Sequence, residues 1–154
     1  AENPYKNFLP SIGRLTKYDP PNEKKHDDET LTRNDTGVKE GDEISMFYDP
    51  MIAKLCSWGQ TREISIKRME SALDNFLLEG IDHNIPFLSA ILANKKFKSG
   101  DLSTSFIQEE YTDGFNGVSP SVEEEWSLAS LIIAYHVTET IKDNESFKEN
   151  NTFC

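Results

Sequence analysis

Metal ligation, proton transfer and nucleophilic attack draw on histidine, cysteine and carboxylates, and this chain of 154 residues holds three histidines, two cysteines and 27 acidic side chains. His26, His83 and His136 are far apart, and neither Cys56 nor Cys154 belongs to a Cys-x-x-Cys pair, so no zinc spacing arises locally. No metal site is expected. Phosphate cradles need clustered glycines whose N–H groups can approach the anion, but the eight glycines are scattered and neither GxxxxGK nor GxGxxG occurs. Nucleophilic catalysis would need a Gly-x-Ser-x-Gly elbow or similar turn, and none is present. The runs Glu109-Glu110 and Glu123-Glu124-Glu125 read as first-turn or solvated-face charges that complement helix dipoles. By itself the chain is not expected to be catalytic.

Sixteen basic residues against 27 acidic ones give a net charge of −11, which repels nucleic acid and anionic membrane surfaces. Those partners are excluded. The longest apolar stretch, Leu128 to Val137, is about half of what a membrane span needs and is broken by Ser130 and His136. Hydrophobic residues at 36% suit a folded domain with a modest appendage. Cys56 sits in an apolar run, where it reads as a small buried hydrophobe, and a reducing compartment follows. Ala1 to Pro10 shows neither a secretory nor an amphipathic presequence pattern. An alanine at position 1 suggests a piece excised from a longer protein, whose targeting signal would lie elsewhere.

The elements that must position these groups follow from periodicity. Ile12 to Tyr18 alternates as a strand that Pro20-Pro21 stops, and Asn22 to Glu29, with Lys24, Lys25, His26, Asp27 and Asp28, reads as a solvated loop. A short strand follows at Leu31 to Asn34. Glu43 to Tyr48 and Met51 to Trp58 alternate as two adjacent strands joined at Asp49-Pro50. Thr61 can cap a helix with Ile66, Met69, Leu73, Phe76 and Leu77 on one face, ended by Gly80. Shorter helices are expected over Ile85 to Asn94 and Thr104 to Tyr111. The turn-rich segment Asp113 to Pro120 marks a domain edge, giving units over 1–117 and 118–154. Ser121 and Glu124 then form a capping box for a helix reaching about Ile141, with Trp126, Ala129, Ile133 and Val137 on one stripe. Leu128, Leu131, Ile132 and Tyr135 widen the apolar band, so this helix needs partners on two sides. The tail from Asp143 to Cys154 is expected to fray. The fold class is α+β, a small antiparallel sheet packed with helices and followed by one long helix.

Three blocks, Glu2-Asn3-Pro4, Phe8 to Leu15 and Tyr48 to Leu55, resemble the C-terminal subdomain of biotin carboxylases. The resemblance continues in order through Trp58-Gly59, Arg62, Arg68 to Phe76 and Gly80 to Asn84. Asp74-Asn75-Phe76, His83-Asn84, Gly100 to Thr104 and Tyr111 to Phe115 are closest to the α subunits of propionyl-CoA carboxylases. Residues 1–117 carry the likeness well. The helix after Ser121 looks more loosely like the opening helix of the domain that joins α and β subunits, which a barrel would follow.

The resemblance implies a parent enzyme that uses MgATP and bicarbonate to carboxylate biotin, in a bacterial cytoplasm or a mitochondrial matrix. It implies an upstream ATP-binding lobe, a downstream barrel and biotin carrier domain, and a carboxyltransferase β subunit as partners. The catalytic arginine is expected just before Ala1, so neither biotin nor MgATP is expected to bind this piece. Asp49 matches an aspartate near the biotin ring, against the plainer reading of a turn residue before Pro50. Tyr48 could line the same cleft, although its place in an alternating run favours core packing. Arg33 matches a dimer-interface arginine of bacterial acetyl-CoA carboxylase, but the neighbouring interface phenylalanine is Thr30 here, which favours an ordinary exposed arginine. Trp126, Ile133 and Val137 would form the docking stripe. The competing reading is a non-catalytic interaction module that docks on a β subunit through that helix.

Overall fold

Prolines, glycines and turn residues cut the first 117 residues into short extended pieces and helices, and a computed structural model shows how they pair. It describes residues 1–23 and 30–150, with side chains up to 142. Lys24, Lys25, His26, Asp27 and Asp28 of the expected loop, and Cys154, lie outside the described residues. In chain order the elements are β1 (Glu2–Asn3), a 3-10 turn (Pro4–Lys6), β2 (Leu9–Pro10), β3 (Gly13–Arg14), β4 (Lys17–Asp19), β5 (Leu31–Thr36), β6 (Glu43–Ile44) and β7 (Ala53–Trp58). There follow α1 (Arg62–Asp74), β8 (Leu77–Glu79), α2 (Ile85–Ala93), α3 (Lys95–Ser99), α4 (Phe106–Glu110) and α5 (Val122–Asn150). The chain divides into two units, Ala1–Gly117 and Val118–Cys154.

The strands form four antiparallel pairs, β1 with β2, β3 with β6, β4 with β8, and β5 with β7. The expected strand over Ile12 to Tyr18 is therefore split, because the chain changes partner at Leu15. Leu15 is fully buried, donates its N–H to Asp42 O at 2.9 Å and accepts from Gly41 N, while Thr16 N–H turns to Glu79 O at 3.0 Å. Burying that leucine contributes roughly 1.5–3 kcal/mol. The strand expected over Glu43 to Tyr48 stops at Ile44, and the segment up to Met51 is a loop. Two side chains bond backbone N–H groups of this segment in place of a ladder: Ser45 Oγ accepts from Phe47 N–H, and Asp49 Oδ1 accepts from Met51 N–H at 2.8 Å. β6 and β7 pair with β3 and β5 rather than with each other, which corrects the expected adjacency.

Thr61 caps α1 as expected, its Oγ1 accepting from Ile64 N–H. The helix ends at Asp74, not Gly80, because Asn75 folds back with both its N–H and Nδ2 on Ser71 O. Phe76 and Leu77 leave for β8, which the helical spacing had hidden. Ile66, Leu73 and Leu92 form one core cluster, with Leu55, Met69, Ile85 and Phe97 packed around it. Ala1, Leu15, Ile44 and Leu78 form another. A third contact set is aromatic: Phe87 of α2 meets Phe8, Tyr111 and Phe115 edge-on at 4.8–5.3 Å between centroids, so it ties the first turn of the chain to its residues past α4.

α2 begins near Asn84 with Pro86 in its first turn but stops at Ala93, where Asn94 Oδ1 accepts from Lys96 and Phe97 N–H and caps the unforeseen α3. α4 covers only Phe106–Glu110 of the expected Thr104 to Tyr111. In the second unit the capping box forms: Ser121 N–H and Oγ both reach Glu124 Oε2, and Ser121 Oγ accepts from Glu124 N–H. α5 runs on to Asn150, past the expected end at Ile141. Cys56 is exposed, not buried, since even-numbered β7 residues face outward. No described helix is long and apolar enough to cross a membrane.

Gly80 adopts φ +99°, and a Cβ there would stand 2.1 Å from Arg14 O and 2.8 Å from Thr16 N. Gly80→Ala should lower unfolding free energy by about 2–4 kcal/mol in denaturant titration, from forbidden dihedrals plus displaced backbone. Gly41→Ala, at φ +90° with open space around it, should cost only about 1 kcal/mol.

Candidate functional site

β7 presents Ala53, Leu55 and Ser57 inward because its residues alternate between faces, and α1 packs across them. α2 is apolar almost all round. It buries Phe87 among aromatic rings and Leu92 against α1, leaving Ile85, Leu88 and Ile91 to line an open groove of about 560 Å³. Met51, Ile52, Leu55, Met69 and Leu73 supply the facing wall. Ala1 and Glu2, Asp49, His83 and Asn84 bring polarity to it. The helical spacing of α2 held the signal for this groove, in having more apolar positions than one buried face can use.

Asp49 stands on the groove wall in the loop between β6 and β7. Oδ1 is committed to Met51 N–H, an Asx turn that fixes the carboxylate's orientation. Around it Met46, Phe47, Tyr48 and Met51 are largely exposed, Phe47 at 86% and Tyr48 at 82%. Tyr48 is thus not a core residue, since the strand that would have turned it inward ends at Ile44. Ala1 packs behind the loop, its amino group donating to Pro50 O at 2.8 Å.

His83 was not singled out as a site residue from sequence, yet it shares this groove with Asp49. Its Nδ1 is buried without a hydrogen-bond partner among the described residues. Burial pushes its pKa below the ordinary histidine value.

Arg33 lies elsewhere, on the outer face of β5, paired with Asp35 Oδ1 at 3.0 Å and across the strands from Cys56. Thr30 is buried at 1% exposure. Trp126, Ile133 and Val137 are 71%, 64% and 50% exposed on α5, within the second unit. No group of three or more His, Cys, Asp or Glu side chains able to hold a metal is found among the described residues.

The antiparallel pairs packed with helices have counterparts among solved structures of biotin-dependent carboxylases. The biotin carboxylase domain of Hydrogenobacter thermophilus 2-oxoglutarate carboxylase, solved with MgADP, ADP and bicarbonate, superposes with a TM-score of 0.65 at 35% identity, covering 71% of this chain and 23% of that one. Rhizobium etli pyruvate carboxylase gives 0.68 at 31% identity over 79% of this chain and 11% of its own. Residues 1–109 match the family model for the biotin carboxylase C-terminal domain, and the chain belongs to that family. Among curated relatives, the propionyl-CoA carboxylase α chain of Ruegeria pomeroyi is 52% identical over 88% of this chain. The mitochondrial α chain of Homo sapiens is 40% identical over 98% of it. The chain spans about a fifth of the length of these relatives, 22% and 20% respectively.

A histidine with a lowered folded pKa binds fewer protons when folded than when unfolded, so its contribution is fully present above the unfolded pKa and is lost as pH falls toward the folded one. Stability should therefore fall from about pH 6.5 downward. His83→Leu should flatten that segment when unfolding midpoints are compared across pH 5–7.5.

Proposed function

We propose that residues 1–117 form the closing wall of a biotin carboxylase active site in the α subunit of a propionyl-CoA carboxylase type of enzyme. The observation that carries this is the placement of Asp49: its carboxylate is held rigidly by Met51 N–H beside an apolar groove, in a loop with exposed aromatic rings. A second carboxylate oxygen, Oδ2, remains to accept from a ureido N–H or a guanidinium, and the exposed ring of Tyr48 can flank a flat bicyclic ligand. These residues suit the biotin ring. Biotin, when carried into the site, supplies the nitrogen that is carboxylated, while MgATP and bicarbonate are activated on the upstream lobe. The residues here bind, orient and exclude water. The bacterial and mitochondrial relatives support a bacterial cytoplasm or mitochondrial matrix as its setting.

In a full-length carboxylase, Asp49→Asn should reduce biotin carboxylation at least tenfold while leaving bicarbonate-dependent ATP cleavage without biotin within about twofold, a loss of roughly 1.4 kcal/mol or more confined to the biotin step. Equal loss of both activities would remove Asp49 from the biotin site.

A docking role for the second unit has its own support. Nine large apolar side chains of α5, from Val122 to Ile141, are half or more exposed, on more than one face of the helix. We infer that they pack against a barrel of the same chain and a carboxyltransferase β subunit. Ile133→Asp should abolish co-elution with the β subunit in size-exclusion chromatography while the far-UV signature and unfolding midpoint of residues 1–117 stay unchanged. Unaltered co-elution would rule the stripe out.

A further inference from the structure

A second pocket, of about 320 Å³, opens in the first unit between the 3-10 turn with the residues that leave it and the loop after α4. It shares no lining residue with the groove at Asp49. Its apolar surface is Pro4, Phe8, the exposed ring of Tyr5 and the buried ring of Phe115, the last two 5.2 Å apart between centroids. These walls are fixed before anything binds. Asn3 Oδ1 accepts from Tyr5 N–H and Asn3 O from Phe8 N–H, both at 2.9 Å, and Gly114 N–H donates to Tyr111 O at 3.0 Å. Phe8 and Phe115 are each held edge-on against Phe87.

Against the rings stand three polar side chains, Asn7, Asp113 and Asn116. Among the described residues none of the three has a hydrogen-bond or ion-pair partner, although every one of them lines the pocket. Asp113 is its only carboxylate, and Lys6, next to Tyr5 in the chain, does not line it. An anion would be repelled by that charge. A divalent metal ion would exchange its shell of oxygens for a single carboxylate, two amides and aromatic rings, which is a poor trade. A wholly apolar ligand would leave three polar side chains dry and unmet. A guanidinium on an aliphatic stem answers every part: its plane stacks on an aromatic face, its N–H groups meet the carboxylate and the amide oxygens, and its stem lies along proline and phenylalanine. A lysine ammonium is more strongly hydrated and cannot stack. The volume is at the lower end of small-ligand pockets, about 300–1,000 Å³, which suits one side chain better than a whole cofactor. The net charge of −11 favours a basic partner in the same sense.

We propose that this pocket is a docking site for an arginine side chain of a partner polypeptide, with Asp113 as its counter-charge and Tyr5 as its stacking platform. The proposal is independent of the role given to Asp49.

The test uses the full-length chain carrying 3-fluorotyrosine at position 5, read by fluorine NMR. N-acetyl-arginine amide should shift the Tyr5 resonance saturably, N-acetyl-citrulline amide, of the same shape without the charge, should not, and Asp113→Asn should weaken the arginine response about fivefold or more. No saturable shift, an equal response to citrulline, or indifference to Asp113→Asn overturns the proposal. The source of the arginine is read in the assembled enzyme. There the resonance should already sit at its arginine-bound position and ignore the added amide. A resonance that still responds assigns the pocket to a free organic cation, and that also overturns the docking role.

Discussion

Everything in the first unit hangs on the passage of Gly80 under the backbone of Arg14 to Thr16. Leu15 lies at that crossing with no exposed surface, its N–H and C=O taken by Asp42 and Gly41, while Thr16 turns to Glu79. Only a residue without a Cβ can follow Glu79 there, because the Arg14 carbonyl occupies the place a side chain would take. The crossing fixes β8 against β4, and β8 in turn carries Leu78 into the core and Phe76 against Tyr18. One close approach between backbones thus sets where the chain leaving α1 pairs as β8.

A second constraint acts through polarity. The inward face of β5 carries Thr32 and Asn34, both buried, in a strand whose Leu31 points outward. Arg68 Nε reaches Thr32 Oγ1 at 2.8 Å, and Asn34 Nδ2 reaches the Tyr18 hydroxyl, which donates to Thr36 Oγ1. Buried polar groups tolerate few alternative arrangements, because each unmet donor or acceptor costs about 1–3 kcal/mol. This layer therefore fixes α1 and β4 to β5 with directional bonds, where an apolar layer would allow sliding. The groove beside β7 is instead lined mostly by apolar side chains, with Glu2, Asp49, His83 and Asn84 as its polar members.

The functional reading follows from that contrast. Asp49 stands at the end of a segment in which Ser45 and Asp49 side chains bond the Phe47 and Met51 N–H groups, so the loop can project aromatic rings outward without a ladder to hold it. Rigid carboxylate, exposed rings and apolar groove come together because β6 stops after two residues. Had Glu43 to Tyr48 continued as a strand, Tyr48 would be paired or packed rather than exposed.

Local chemistry alone determined much of this protein. The Thr61 cap, the Ser121–Glu124 box, the strand at Leu31 and the helix start at Asn84 each depend on side chains within a few residues of one another, so spacing revealed them. The motif blocks around Asn3, Asp49 and Gly80 carried the family for the same reason, since their order along the chain is itself the signal. Tertiary structure decided the rest. Which strands pair, why the run over Ile12 to Tyr18 breaks at Leu15, why Phe76 and Leu77 desert α1, and why Cys56 faces outward all depend on residues tens of positions apart. His83 joins Asp49 in one groove for that reason as well: 34 positions separate them along the chain, and the packing of α1 against both β7 and α2 brings them to a common wall.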